Sequence, residues 1–214
     1  MDQRLARICS ATWWAALVLL TAHVVTTSSL RYVTNGEAPP PPIVANAFAT
    51  PFLFIHVVTG VIALVVGLLQ FVPRIRMRVP ALHRATGRIY VGACAVSAPA
   101  GFMLALGTTA GSVAGTGFAV QALLLPLFTY LGWRAAVERR FAEHREWMLR
   151  SYALISAAIT FRLMLPASVL LDLGFLPAYR AIAWLAWATN LVAAEYYLRR
   201  KRVLTTSYQT LATT

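Results

Sequence analysis

The sequence predicts an all-α, polytopic membrane protein, a bundle of six transmembrane helices, from its composition, its apolar runs and its arginine distribution. Of the 214 residues, 59% are hydrophobic and only 12% are charged, whereas a soluble domain carries about 25% charged residues. This composition excludes a disordered chain, a nucleic-acid-binding module and an ordinary soluble enzyme.

Six apolar runs divide the chain, and each is close to the length that a membrane-spanning helix needs, about 20 residues. They cover residues 8–30, 52–72, 87–106, 115–135, 147–171 and 177–198. They leave no room for a soluble domain, so we expect residues 1–214 to form a single integral membrane domain. No clear cleavage site precedes Pro39, which favours an uncleaved first span over a signal peptide.

The basic residues predict how the six spans are oriented. Sixteen of the 19 Lys and Arg residues fall on one side of a six-span chain, in groups before the first span, around the second and fourth connections, and after the last span. Only Arg31 and Arg180 fall on the other side. Basic loops stay in the cytoplasm, so we expect both termini there. Topology and anionic lipid account for the positive charge without nucleic acid.

The cysteines and the first outer loop carry little functional information. Cys9 and Cys94 lie inside apolar runs, so no structural disulfide is expected. Four consecutive prolines at 39–42 favour an extended polyproline segment in the outer loop.

The four histidines form the most informative pattern in the chain. His23 and His56 fall in the outer halves of the first two spans, whereas His83 and His144 stand at the inner ends of the third and fifth. Two imidazoles from different helices on each side of a bundle are what one or two b-type haems require. The pattern therefore predicts haem b at two depths, with these histidines as iron ligands.

Several arginines could hold the anionic groups of such a cofactor or of another ligand. Arg84 and Arg145 follow the inner histidines, and Arg162 lies deep in the fifth span, where a charge costs several kcal/mol unless it is paired. We expect these three to bind haem propionates or an anionic substrate. Arg88 and Arg150 are further candidates at the inner surface.

Other polar residues of the spans have simpler interpretations. Gln70, Gln121 and Asn190 are expected to make hydrogen bonds between helices, and Glu195 to pair with a cytoplasmic arginine. A connection rich in arginine contains Glu138, Glu143 and Glu146, and its expected structure is a solvated network of ion pairs.

Three histidine-centred strings, followed by Arg162, occur in a fixed order between about residues 50 and 165. They are His56-x-x-x-Gly60 with Gly67 and Gln70-Phe71, His83-Arg84-x-x-Gly87-Arg88-x-Tyr90, and His144-Arg145-x-Trp147-Met148-x-Arg150. The combination resembles a widespread bacterial family of integral membrane proteins designated domain of unknown function 2306. The layout is also similar, at the level of architecture alone, to the four-helix di-haem cytochromes of the b561 type. It departs from them because His23 lies on an additional first helix.

The leading hypothesis is a haem-binding membrane protein that transfers electrons across or within the bilayer, a possible cytochrome b-like oxidoreductase with a quinone or a redox protein as partner. One alternative is a protein that binds or transports a lipid or another amphiphile, with Arg84 or Arg145 on the anionic head group. Another is a non-haem metal site built from His83, His144 and Glu143 or Glu146. Histidines that only bond neighbouring helices, and a structural subunit of a larger complex, are the remaining interpretations.

Overall fold

A computed structural model describes residues 3–26 and 45–212, and all the regular structure in these two ranges is helical. The helices are α1 (Gln3–Val25), α2 (Ala49–Gln70), α3 (Pro73–Arg78), α4 (Pro80–Leu106), α5 (Ser112–Val137), α6 (Phe141–Ile155), α7 (Ala157–Leu170) and α8 (Phe175–Ala212). The all-α class is thereby confirmed for the described part of the chain. Two compact units contain these helices, Met1–Thr109 and Ala110–Thr214.

Apolar helices of membrane-spanning length are present in both units. Four segments are long and apolar enough to cross a bilayer: Ala49–Gln70, Pro80–Leu106, Ser112–Val137 and Phe141–Leu170. In addition, α1 contains the shorter apolar stretch Trp14–Val25, and α8 has 38 residues. A multi-pass membrane protein is confirmed, whereas the count of six spans, the side of the termini and the single domain stay predictions.

Some sequence predictions lie outside the described residues. These are the end of the first apolar run, Arg31, the proline run at 39–42, and the side chains of Arg4, Arg7 and Cys9. Cys94, by contrast, is a buried cysteine on α4.

The first unit is built around the packing of α2 against α4. On α2 the buried residues are Ala63, Leu64, Gly67 and Leu68. Small residues dominate the buried face of α4, which includes Ala93, Cys94, Ser97, Ala98 and Ala100. Small side chains let two helix backbones approach closely, and this close packing replaces the hydrophobic effect as the main attraction between helices in lipid.

Asn46 fastens the beginning of α2 to the end of α4. Its side-chain Nδ2 donates to the carbonyl of Leu104 at 2.7 Å, and its Oδ1 accepts from the backbone N–H of Phe48 at 2.9 Å. A Cβ atom on Gly107 would collide with both Asn46 and Phe48. Glycine is therefore required at position 107 for this junction.

In the second unit α5 packs against α6 and α8, and α8 also contacts α7. Gly117 of α5 lies close to α8, because a Cβ there would be 2.9 Å from the carbonyl oxygen of Ala183 and 2.9 Å from the Trp184 ring. Nearby, buried Ala114 and Ala183 pack with Phe118. As in the first unit, small residues set the spacing of the helices.

The fifth predicted span differs from the structure in one respect. The sequence predicts one helix over 147–171, whereas the structure has two, α6 and α7, which begin at Phe141 and meet at Ser156. Polar side chains from other helices explain this difference, because they donate hydrogen bonds to backbone carbonyls next to the break. Hydropathy alone does not reveal such bonds.

Candidate functional site

His56 lies between α2 and α4 in the first unit. Its Nδ1 atom is 3.0 Å from the carbonyl oxygen of Ser97 and 3.2 Å from the Ser97 hydroxyl. A Cβ on Gly101 would lie 2.9 Å from both Cε1 and Nδ1 of the ring, so the imidazole occupies the space that this glycine leaves. A carbonyl oxygen only accepts, so Nδ1 of His56 carries a proton and donates to it.

His83 lies on the first turn of α4 and contacts the last residue of α2. The side-chain amide of Gln70 has one orientation in which both its nitrogen and its oxygen find a suitable hydrogen-bond partner. In that orientation the nitrogen donates to Nδ1 of His83 at 3.1 Å, and the oxygen accepts from the Thr86 hydroxyl at 2.7 Å. Nδ1 of His83 is then an acceptor, and the proton of the neutral ring is on Nε2. His83 thus has the opposite tautomer to His56. The prediction that Gln70 bonds a neighbouring helix is confirmed.

His144 lies on α6 in the second unit, facing α5. Its Nδ1 is 2.8 Å from the carbonyl oxygen of Gly132, so Nδ1 donates to a carbonyl as it does in His56. The space opposite Gly132 is taken by Met148, whose Sδ would be 2.6 Å from a Cβ at that position. Gly132 therefore leaves room for the side chain of Met148, which lies one turn after His144 on α6.

The structure places the remaining predicted residues as follows. His23 is exposed on the last turn of α1, and Arg84 and Arg145 are exposed beside their histidines. Both His23 and His56 belong to the first unit, whereas His83 and His144 belong to different units. The pairing of each set around an iron stays a prediction.

Arg162 is half-buried on α7, and its Nη1 donates to the carbonyl oxygen of Ala158 at 3.0 Å. Arginines within a membrane commonly pair with backbone carbonyls. Here a carbonyl of the same helix accepts one of the hydrogen bonds that the guanidinium can donate.

Polar side chains surround the break at Ser156. Asn190 of α8 donates to the carbonyl of Ala153 and to the Ser156 hydroxyl, both at 3.3 Å, and accepts from Thr160 at 2.9 Å. Gln121 of α5 donates to the carbonyl of Leu154 at 3.0 Å. The prediction that Gln121 and Asn190 bond neighbouring helices is confirmed. Irregular backbone at membrane depth persists where protein groups satisfy it, and these two amides do so.

Ion pairs connect the middle of α6 to α8. Arg150 donates to both carboxylate oxygens of Glu195, and its Cζ lies 4.7 Å from the Trp147 ring centroid. Glu146 accepts from Arg202 and lies 3.7 Å from Arg150. Only 12% of the Arg150 side chain is exposed. Arg150 was a candidate for propionate binding, and the structure pairs it with carboxylates of its own unit instead. The predicted pairing of Glu195 with an arginine is confirmed.

The connection between α5 and α6 also contains the predicted ion-pair network. Glu138 accepts from Arg134 at 2.7 Å and from Arg140 at 2.8 Å, and Arg140 also bonds Glu143. The hydrogen bonds from Arg134 and then Arg140 lower the pKa of Glu138 below its ordinary value.

A family model described as a predicted membrane protein, DUF2306, matches residues 53–198. The chain belongs to this family. No curated protein and no solved structure shows a significant match. The matched residues contain the three histidine-centred strings but not His23. The resemblance inferred from these strings is confirmed.

The non-haem metal interpretation receives no support from the part of the DUF2306 chain that the structure describes. Within those residues, no group of three or more His, Cys, Asp or Glu side chains lies close enough to hold an ion. Glu143 and Glu146, its predicted carboxylate ligands, instead bond arginines.

An apolar groove of about 250 Å³ runs between α7 and α8 of the DUF2306 protein, lined by residues that include Met164, Leu171 and Ile182. No histidine lines it. The groove is suited to an acyl chain or to a neighbouring apolar helix and carries no polar chemistry.

Sequence reasoning missed three residues that seat the histidines, namely Ser97, Gly101 and Gly132. The spacing of Ser97 and Gly101, one turn apart in an apolar run, does signal a small, polar helix face. It does not reveal which histidine fills that face, because the contact depends on which helices are neighbours.

Proposed function

We propose that this DUF2306 protein is a six-span protein of the bacterial inner membrane, with both termini in the cytoplasm. Four apolar segments of spanning length support it, with Trp14–Val25 as the core of a first span and α8 as the last. The arginine distribution supports the orientation.

The protein binds one or two b-type haems and transfers electrons across or within the bilayer, to or from a quinone or a redox protein. The observation that carries this proposal is the contact of Nδ1 with a backbone carbonyl oxygen of the neighbouring helix, which both His56 and His144 make. This hydrogen bond fixes each ring in an orientation from which Nε2 could coordinate a metal. Histidines that ligate metals are held in this way by their other nitrogen.

The candidate ligands are His23 and His56 on the outer side and His83 and His144 on the inner side. His83 fits this role only when the Gln70 amide is reversed, so that the amide oxygen accepts a hydrogen bond from the Nδ1–H group and Nε2 carries no proton. Gln70 is therefore a positioning residue whose orientation decides whether His83 can act as a ligand.

Three arginines hold the acidic substituents of the cofactor. Arg84 and Arg145, exposed beside His83 and His144, bind propionates at the inner surface, and Arg162 does so in the outer half. When bound, haem supplies a one-electron couple whose potential depends on its axial ligands and its burial. The protein's own task is to fix the imidazoles and to keep water away from them.

An optical spectrum of the full-length protein tests the proposal. Protein produced with haem supplementation and purified in detergent is expected to show a Soret band, and bands that sharpen on reduction. We expect His56→Ala and His144→Ala each to lower the ratio of haem to protein, with Gly92→Ala as a control because a Cβ at position 92 meets no atom within 4 Å. A folded wild-type protein without a Soret band would overturn the proposal. An unchanged haem ratio in both histidine variants would overturn the choice of ligands.

A further inference from the structure

The charges of the first unit are unbalanced. Between residues 45 and 109 the sequence contains five arginines and not one Asp or Glu. All five are exposed, namely Arg74, Arg76, Arg78, Arg84 and Arg88. They lie within 15 residues of one another, on α3 and the first turns of α4. We call this group the α3 arginine patch.

Four arginines of the second unit have a different environment, because each of them bonds a carboxylate. Arg134 and Arg140 bond Glu138, Arg150 bonds Glu195, and Arg202 bonds Glu146. Their positive charge is therefore neutralised in large part by carboxylates of the same unit. The segment that carries the α3 arginine patch has no carboxylate with which to do this.

Apolar side chains are exposed among the arginines of the patch. Met77 is 69% exposed, Val79 48% and Leu82 43%. The patch also follows directly on α2 and leads into α4, two segments long and apolar enough to cross a bilayer. The connection between two such segments lies at the membrane surface, where apolar side chains contact acyl chains and guanidinium groups reach phosphates.

We propose that the α3 arginine patch binds the head groups of anionic phospholipids. Guanidinium groups donate paired hydrogen bonds to phosphate oxygens, and Met77, Val79 and Leu82 anchor the connection in the interface below them. A dissolved anion or an acidic protein would match the arginines but not the exposed apolar side chains between them. This proposal does not depend on haem binding.

The test compares two variants that lose the same number of positive charges. Arg74, Arg76 and Arg78 are all replaced by Gln in one, whereas Arg134, Arg140 and Arg202 are all replaced by Gln in the other. Full-length protein in neutral detergent is titrated with phosphatidylglycerol or with phosphatidylcholine, and bound lipid is counted by native mass spectrometry. Each basic residue near an anionic surface contributes about 1 kcal/mol, so we expect the α3 variant to bind phosphatidylglycerol about a hundredfold more weakly.

The control variant is expected to bind phosphatidylglycerol nearly as well as the wild type, and neither variant should change the weak binding of phosphatidylcholine. An equal loss in both variants would show attraction by net charge alone and would overturn the proposal. Displacement of phosphatidylglycerol by millimolar inorganic phosphate would overturn it in favour of a site for free phosphate. If the α3 variant does not fold, Arg→Lys at the same three positions keeps the charge, and we expect it to retain lipid but to hold it less tightly.

Discussion

The two units hold a histidine in the same way but fill the surrounding space differently. In each, an imidazole Nδ1 donates to a backbone carbonyl of the neighbouring helix, close to a glycine. In the first unit the ring of His56 itself fills the space at Gly101, whereas in the second the thioether of Met148 fills the space at Gly132. A rigid ring transmits a change in helix spacing directly to the hydrogen bond, and a flexible methionine absorbs it. The packing around His56 is therefore more sensitive to a change in helix spacing than the packing around His144.

The largest effect is expected for Gly101→Ala. The new methyl group would lie 2.9 Å from two atoms of the His56 ring, so either the ring or the helix must move, and overpacking of this kind costs about 1–3 kcal/mol. The unfolding temperature of the full chain in detergent should fall clearly. Gly92→Ala on the same helix is the matched control and should not lower it. Equal unfolding temperatures for the two variants would contradict the tight seat of His56.

A somewhat smaller effect is expected for Glu195→Gln, which tests the ion pairs that set the second unit apart. The change leaves the mostly buried guanidinium of Arg150 without its main carboxylate, and Glu146 compensates only in part. We expect a loss of about 1–2 kcal/mol, below the cost of breaking a fully buried pair because Glu195 remains partly hydrated. Thermal unfolding should show this loss for Glu195→Gln and little change for Glu138→Gln, whose partners are exposed.

Gly132→Ala should cost less than Gly101→Ala, about 1 kcal/mol or below, because the atoms that the new Cβ would meet most closely, Sδ and Cγ of Met148, belong to a flexible side chain that can turn aside. The bond between His144 and the carbonyl of residue 132 should survive, and the imidazole NMR signals of His144 should shift little. A loss of stability as large as that of Gly101→Ala would show that the two seats are equally rigid.

The smallest effect concerns acid stability of the connection between α5 and α6. Bonding by Arg134 and Arg140 lowers the pKa of Glu138 from its ordinary value of 4.5. A carboxyl group whose pKa is lowered in the folded state contributes stability above pH 4.5, and the contribution is lost as pH falls through the lowered value. Between pH 6 and pH 3 the unfolding temperature of the wild type should therefore fall slightly more than that of Glu138→Gln. Parallel curves for the two proteins would contradict this.

The sequence predicts the helices well and the packing around the histidines poorly, for a physical reason. Apolar runs of spanning length reflect the bilayer itself, so the run at 52–72 matches α2 except for its last two residues, and the run at 87–106 falls within α4. The break at Ser156 was not predicted, because it depends on amides of Gln121 and Asn190 brought from other helices. For the same reason the histidines are easily found in the sequence, while Ser97, Gly101 and Gly132, which hold two of them, are not.

The lack of carboxylates between residues 45 and 109 has a consequence for spectroscopy. Arginine is charged at every accessible pH and this stretch contains no Asp, Glu or Lys, so its only other side chains that can change charge, besides Tyr90 and Cys94, are the imidazoles of His56 and His83. An acid titration followed by isotope-edited NMR of this segment would thus report two imidazoles against a silent background. Such a titration would follow the protonation of each imidazole without interference from carboxyl groups.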